Sequence, residues 1–591
     1  MKTQKAPKRA VEQQGCSLSV ARIRCADLRH VAKAWAETLP DQRRAEAVAS
    51  FAMAALDAYA QAVRTEDAAA CPKTMGQPQA ELARSAGVAA APLPMAEALH
   101  WLTSLYSGLL PVEMRGRLGA FYTPPALVGR LLDQAEEAGL SWTTARVLDP
   151  AAGGAAFLID AVARVCAAFK GCEPAFLVAQ LATRIHGLEL DPRAARLGQR
   201  ALEIALADLL IAARQPCPIM IHEADSLEAE IGADYDLVVG NPPYGRVSLT
   251  VAQRERFRRG LYGHANLYGV FTDLALRWTK PGGLIAFLTP TSVLSGQYFS
   301  ALRTLLGDEA PPVAIDFVHA RKGVFEDVQQ ETMLAVYRKD ARRRRAQIHY
   351  IHVDTATETR VIRNGTVAIP SPSSAPWLAP RDAAHSTLIA RAETMPTRLS
   401  DLGYRVSTGP LVWNRFKDQL GNTAGGKRTF PLIWSEAVLT DGQFRFRADK
   451  KNHQLFFTLK KGDDWLLVTE PAVLVQRTTA KEQRRRLIAA ELPGAFVRTH
   501  GGVVVENHLN MVVPIGKPKV SPAVLAALLN SAVVDQLFRC ISGSVAVSAF
   551  ELEALPLPHE DKFAALTKLV VKKADRDTLD SACAALYETH L

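Results

Sequence analysis

The chain has 591 residues, too many for one compact domain, and two to four domains are expected. Its hydrophobic fraction of 48% and charged fraction of 22% exclude a disordered or fibrous chain and leave an ordinary core-burying protein. The formal charge of +10 admits a polyanionic partner without requiring one.

The eight cysteines are scattered without a C-x-x-C pair, which argues against a zinc site or a disulfide scaffold and suits a reducing compartment, the cytoplasm. No metal is expected. The basic start Met1 to Arg9 leads into no apolar stretch and does not read as a secretory signal. The richest apolar run, Ala201 to Ala213, is interrupted by Glu203 and Asp208 and is too short to span a bilayer, so no membrane partner is expected.

In chain order, Cys16 to about His100 is rich in Ala, Leu, Arg and Glu at helical spacing (Val31, Trp35, Leu39, then Ala47 to Ala60). A helical N-terminal extension over residues 1–100 follows, broken near Cys71 to Gln79, with packing or docking as its role. It holds no Asp…Glu-x-Lys arrangement of the nuclease kind. Gly119 to Asp133 then reads as a helix start, with Thr123 at the N-cap, Pro124 and Pro125 in the first turn, and Leu127, Leu131 and Leu132 as an apolar stripe.

Val147 and Leu148 end a strand, Asp149 to Ala155 is a loop of small residues, and Phe157 to Val165 is helical. Such a loop lets backbone approach a ligand closely beside a helix N-terminus. About forty residues on, Ile185 to Asp191 is a second strand ending in acids. Glu189 is placed to accept two hydrogen bonds from a ribose diol. A helix over Pro192 to Ala213 leads to a strand at Ile219 to His222 and to Asp225, which can accept from an adenine amino group.

Leu237 to Val239 reads as a buried strand that stops at Gly240 because Pro242 and Pro243 cannot continue a ladder. Asn241, Pro242, Pro243 and Tyr244 therefore stand in a stiff loop past a strand's carboxyl end. The alternation of strands and helices puts Asp149, Glu189, Asp225 and Asn241 on loops at one edge of a parallel sheet, where open α/β folds bind ligands. The chemistry that suits this loop is methyl transfer to an amine conjugated to a ring, or to an amide nitrogen. The lone pair of such a nitrogen is delocalised, so a site must accept hydrogen bonds from the NH2 group and aim the lone pair at the electrophile. The Asn241 side chain and the Pro242 carbonyl can accept, and Tyr244 can stack on a planar substrate.

These residues resemble the amino-group DNA methyltransferases that modify adenine N6. The tract Asn266 to Pro290 is similar to the stand-alone type II enzymes of the TaqI methylase type, and the order of parts is that of the gamma class. The motifs cover about residues 115 to 340. The resemblance implies a Rossmann-like, doubly wound, mostly parallel α/β methyltransferase domain over 101–345. A linker over 346–395 and a C-terminal α+β target-recognition domain over 396–591 would follow it. Thr123, Asp149, Ala151, Glu189, Leu190, Asp225, Ser226 and Pro243 would line an S-adenosylmethionine pocket. Asn241 and Pro242 would hold adenine N6, and Tyr244 would stack on an extruded base with Phe325 as a second wall. The family's common loop is D-P-A-C-G-S-G; here Ala152 replaces Cys, Gly154 replaces Ser and Ala155 stands at the second Gly.

Beyond the linker, Trp413, Asn414, Arg415 and Lys417 interleave aromatic and polar groups in a manner suited to DNA, and basic patches at Arg342 to Arg345 and Arg484 to Arg486 could meet its backbone. An amphipathic helix is expected over Ala526 to Phe538, and His508 is either structural or a DNA contact. The expected activity is site-specific methylation of adenine N6 in double-stranded DNA by a monomer, alongside a separate restriction endonuclease. The alternatives are a protein-glutamine or RNA N-methyltransferase, a cytosine-N4 enzyme, and a non-catalytic DNA-binding subunit of the same fold.

Overall fold

The computed structural model describes residues 7–64, 76–119, 122–319, 331–342, 345–478, 485–541 and 546–588. The chain divides into two compact units. One holds 1–290, 305–343 and 349–362, and the other 291–304, 344–348 and 363–591.

Among the described residues of the first unit, six helices precede any strand: α1 (Pro7–Glu37), α2 (Asp41–Ala62), α3 (Gln77–Ala90), α4 (Met95–Gly108), α5 (Val112–Leu118) and α6 (Pro125–Glu137). The N-cap of α6 is Pro124 and no side chain caps it, so Thr123 lies one residue before the expected place, with its side chain buried. A proline at the cap position already fixes the entry geometry, and Thr123 is left to face inward. Leu99, Leu102 and Leu105 of α4 join the same apolar cluster as Leu158 and Leu202 of the α/β layer. At about 2 kcal/mol for each fully buried leucine, their burial is comparable to the net stability of a whole domain. The N-terminal helices are thus built into the core. Arg200 Nε meets Asp57 Oδ1 at 2.8 Å across the same junction.

The sheet has nine strands: β1 (Val147–Asp149), β2 (Ile185–Glu189), β3 (Ile221–Glu223), β4 (Tyr235–Gly240), β5 (Thr279–Pro290), β6 (Pro312–His319), β7 (Thr332–Arg338), β8 (Arg345–Val353) and β9 (Thr359–Ala368). Their order is β3-β2-β1-β4-β5-β7-β6-β8-β9. The first five run parallel, and β7 is antiparallel to both β5 and β6. The order reverses between β1 and β4, which opens a crevice at their carboxyl ends. Leu148 pairs with Val238, Asp149 with Gly187 and Glu189 with Glu223, so Asp149 stands two residues short of Glu189 at the same carboxyl edge.

Between β1 and β2 lie α7 (Ala156–Ala168) and α8 (Pro174–Arg184), and between β2 and β3 lie α9 (Pro192–Ala205) and α10 (Ala207–Ala213). The single helix expected over Pro192 to Ala213 is therefore two, meeting at the buried Leu206. The linker expected over 346–395 instead carries β8, β9 and a helix, His385–Ala392. Ala346, Ile348 and Ile351 of Arg345–Val353 are buried, which makes it a strand that packs rather than spans.

The second unit holds two small sheets. One orders Tyr404–Thr408, Leu509–Pro514, Ala472–Gln476 and Ala489–Leu492, all antiparallel. The other has five strands centred on Thr429–Ile433. The helix expected over Ala526 to Phe538 is broken into Pro522–Leu529 and Ala532–Ile541. Asn530 at the break is fully buried, and its Oδ1 accepts the Ala489 amide at 3.2 Å while Nδ2 donates to the Thr440 carbonyl at 3.4 Å. Among the described residues no single helix is long and apolar enough to cross a membrane.

Candidate active site

Asp149 ends β1 at 1% exposure, and its Oδ1 accepts the Ala151 amide at 3.0 Å, tying the turn back onto the strand. Two residues in the left-handed region follow, Gly153 at φ +49° and Ala155 at φ +64°, before α7 begins. The loop is stripped of side chains for a steric reason. A Cβ on Gly154 would lie 2.8 Å from the Thr103 side chain of α4, and one on Gly153 would lie 3.0 Å from the Tyr122 ring. The departure from the common loop at residue 154 is therefore matched by α4, which occupies the space a serine would need.

Glu189 ends β2, and backbone amides hold its carboxylate from two sides. Oε2 accepts from Gly153 at 2.8 Å and Oε1 accepts from Asp191 at 2.9 Å. Burial raises the proton affinity of Glu189, and these amides oppose the rise. Asp149 is displaced further: burial pushes its carboxyl up to about 8, the Ala151 amide lowers it and the Glu189 charge raises it. Asp191 caps α9 by accepting the Arg193 amide at 3.1 Å and also accepts the Tyr106 hydroxyl.

Over these strand ends lies a cavity of about 270 Å3. Each of the eight residues expected to line a methyl-donor pocket borders it: Thr123, Asp149, Ala151, Glu189, Leu190, Asp225, Ser226 and Pro243. Asp225 is exposed and turns its Oδ1 to the Leu227 amide at 2.9 Å, while Ser226 Oγ donates to the Pro150 carbonyl at 2.6 Å. Thr103 and Tyr106 from α4, Tyr122, and Leu267 and Phe271 also border it. The sequence pattern does not single these out. A Tyr or Thr on an apolar helix face has the same spacing whether it meets a core or a cavity, so periodicity carried no signal for them.

Asn241 borders the same cavity, and Pro242 beside it is buried. Pro243 is pinned by the chain before α6, since a Cβ on Gly119 (φ +62°) would lie 2.6 Å from the Pro243 Cβ. Tyr244 donates its hydroxyl to the Leu288 carbonyl at 3.2 Å and meets Tyr268 edge-on at 6.1 Å, which fixes its ring. Phe325 lies outside the described residues.

In the second unit, Trp413 is half-buried, edge-on to Trp434 at 6.0 Å, with Lys417 Nζ 5.9 Å from its ring centre. Asn414, Arg415 and Lys417 are exposed on the same turn. Of the basic patches, Arg343, Arg344 and Arg484 lie outside the described residues. Arg485 meets Asp580 at 2.8 Å and Arg486 is buried, so these two point inward rather than toward a backbone. His508 Nδ1 lies 2.7 Å from Glu506 Oε1.

Residues 100–365 match the N-6 DNA Methylase family. Over this stretch the chain is similar to the N-6 DNA methylases. The chain is 28% identical over 360 residues to type II methyltransferase M.BsuBI of Bacillus subtilis, covering 60% of this chain and 71% of that one. It is 26% identical over 361 residues to type II methyltransferase M.PstI of Providencia stuartii, covering 58% and 70%. Among solved structures, the type IIL restriction-modification enzyme MmeI in complex with DNA aligns with a TM-score of 0.50 at 13% identity, over 94% of this chain and 90% of that one, which speaks for the fold.

This region transfers methyl groups to DNA with S-adenosylmethionine as donor. The residues present fit that donor. Carboxylates stand at adjacent strand ends, the loop leaves backbone open between them, and Phe157, Phe271 and Leu190 supply apolar walls. S-Adenosylmethionine supplies a methyl group on a positively charged sulfur, which an amine can displace without prior activation of the carbon.

Proposed function

We propose that the protein is a site-specific adenine-N6 methyltransferase of the gamma class acting on double-stranded DNA, the modification half of a restriction-modification system. The observation that carries this reading is that Asn241 borders the same cavity as Glu189 and Asp225. Glu189, held by two amides, takes the ribose hydroxyls, and Asp225 takes the adenine amine of the methyl donor. Asp149, enclosed and easily protonated, faces the donor's cationic end. The target adenine leaves the duplex, since its N6 is out of reach within the stack. The Asn241 side chain and the Pro242 carbonyl accept the two N6 hydrogens, turning the lone pair toward the methyl carbon. Tyr244, anchored through its hydroxyl, offers a ring to the base. A donor held here would supply the methyl carbon and take the C–S electron pair, and the surplus N6 proton would pass to water. Alignment rather than a general base sets the rate.

The C-terminal unit reads the DNA sequence, with the exposed Asn414, Arg415 and Lys417 as contacts. The protein acts as a monomer, and a separate endonuclease acts on the same site. A glutamine-modifying enzyme has little use for a C-terminal region of this size, and cytosine-N4 enzymes of the resembling family usually carry Ser where Asn241 stands. Asn241→Ala tests the reading. Methyl transfer is expected to fall by about a hundred- to a thousandfold, as when one preorganised hydrogen-bonding group is lost from an active site, with S-adenosylhomocysteine affinity within about twofold of the parent. Loss of both together would give Asn241 a folding role instead.

A further inference from the structure

The second unit carries the most exposed aromatic ring among the described residues. Trp465 is 63% exposed, on the single turn Asp464–Leu466. Its neighbour Leu466 is fully buried in the apolar cluster that holds Trp434 and Phe457, and anchoring Leu466 inward turns Trp465 outward. An indole is among the largest apolar surfaces a side chain can withdraw from water, and aromatic rings left outside in this way mark contacts with a partner.

Three loops tie this turn into one ledge. Arg428 Nη2 donates to Asp464 Oδ1 at 2.6 Å and to the Lys460 carbonyl at 3.2 Å, and Gln419 Nε2 donates to Asp463 Oδ2 at 2.7 Å. Lys460 pairs with Asp418. Asp418, Asp463 and Asp464 are thereby all engaged, whereas Lys427 and Lys461 are exposed and make no ion pair among the described residues. Lys461 stands at the tip of a reverse turn, in which the Asp463 amide donates to the Lys460 carbonyl at 3.2 Å and Gly462 takes φ +97°. The ledge continues through Gln419 into the turn that presents Lys417. Open cations around a flat ring complement a polyanion built of stacked rings, which selects nucleic acid over an apolar protein face.

We propose that this ledge lies against duplex DNA, with Trp465 as an aromatic wedge at a base step and Lys427 and Lys461 on the flanking phosphates. The inference rests on the reading of the C-terminal unit as the part that meets DNA, and it adds a contact of a different kind. Asn414, Arg415 and Lys417 offer polar groups, whereas an apolar ring entering a step partly unstacks it and kinks the duplex. The ring contributes through stacking, which is insensitive to salt, and the lysines through displaced counterions, which is not.

Fluorescence anisotropy of a labelled duplex of mixed sequence, titrated with the full chain at several salt concentrations, tests this. Trp465→Ala should weaken binding about five- to a hundredfold and leave the slope of log affinity against log salt unchanged. Trp465→Phe should recover most of that loss. Lys427→Gln and Lys461→Gln should each make the slope shallower by about 1. All four variants should keep the parent's S-adenosylhomocysteine affinity within about twofold, which shows that they fold. DNA binding by Trp465→Ala equal to the parent's would overturn the wedge and leave the ring to a protein partner. Trp465→Phe no better than Trp465→Ala would overturn it too, and lysine variants with the parent's slope would overturn the phosphate contacts. A parent chain that bound no DNA would bring down the DNA reading itself, and this inference with it.

Discussion

The Tyr106 hydroxyl of α4 donates to the carboxylate of Asp191, whose own backbone amide donates to Glu189 Oε1 at 2.9 Å. A helix from the N-terminal extension thus fixes the turn that orients the proposed ribose-binding acid. Arg193 Nε reaches the same hydroxyl at 3.1 Å, so the phenol sits between an acid and a base and has little freedom.

Tyr106→Phe keeps the ring and removes the bond. Affinity for S-adenosylhomocysteine is expected to fall about ten- to a hundredfold, the worth of one hydrogen bond to a charged group. In a double-mutant cycle with Glu189→Gln the two losses should couple by about 1 kcal/mol. Strict additivity in calorimetric titrations would mean that Tyr106 acts on packing and not through Glu189.

Asp149 gives a pH signature. With its carboxyl pushed up to about 8 by burial, it is protonated at pH 7 in the free protein. A cationic donor favours the ionised form, so binding releases a proton below pH 8. Affinity for S-adenosylmethionine should therefore rise from pH 6 to pH 8 by up to about tenfold per unit and then level off. Asp149→Asn should flatten that profile. For folding the sign is opposite. The unfolded carboxyl has already lost its proton above about 4 while the folded one keeps it, so this group's contribution to stability declines as pH rises from about 4 to 8. Chemical denaturation of the free protein at pH 5 and pH 8, parent against Asp149→Asn, measures it.

Gly154 is where the loop departs from its family's usual serine, and Thr103 explains it. Gly154→Ser should weaken donor binding and lower the melting temperature, because the added Cβ would lie 2.8 Å from the Thr103 side chain. Overpacking of this kind costs about 1–3 kcal/mol. Combining it with Thr103→Ala removes the hydroxyl but leaves the Thr103 Cβ 2.8 Å from the added atom, so it should recover only part of the loss in a thermal-shift assay. A double variant no better than Gly154→Ser would separate Thr103 from the loop.

Much of this site was legible in the sequence because its chemistry sits at strand ends, where a short apolar run followed by an acid or an Asn-Pro-Pro turn fixes both element and position. Asp149, Glu189, Asp225 and Asn241 all came from that pattern. What stayed hidden depends on contacts distant in sequence. Tyr106 reads as one more apolar-face residue until Asp191 is seen beneath it. Leu206 and Asn530 interrupt helices whose amphipathic spacing continues across the break, and Asn530 does so because its amide serves backbone groups of Ala489 and Thr440. Arg485 and Arg486 read as a surface run, yet Asp580 and burial draw them inward.

The central claim is the identity of the methylated atom. Duplex DNA containing all four bases, incubated with the protein and S-adenosylmethionine and digested to nucleosides, separates the possibilities by mass spectrometry. The account predicts N6-methyladenine as the methylated nucleoside, absent with Asn241→Ala. N4-methylcytosine, or label recovered in protein or RNA with none in DNA, would contradict it.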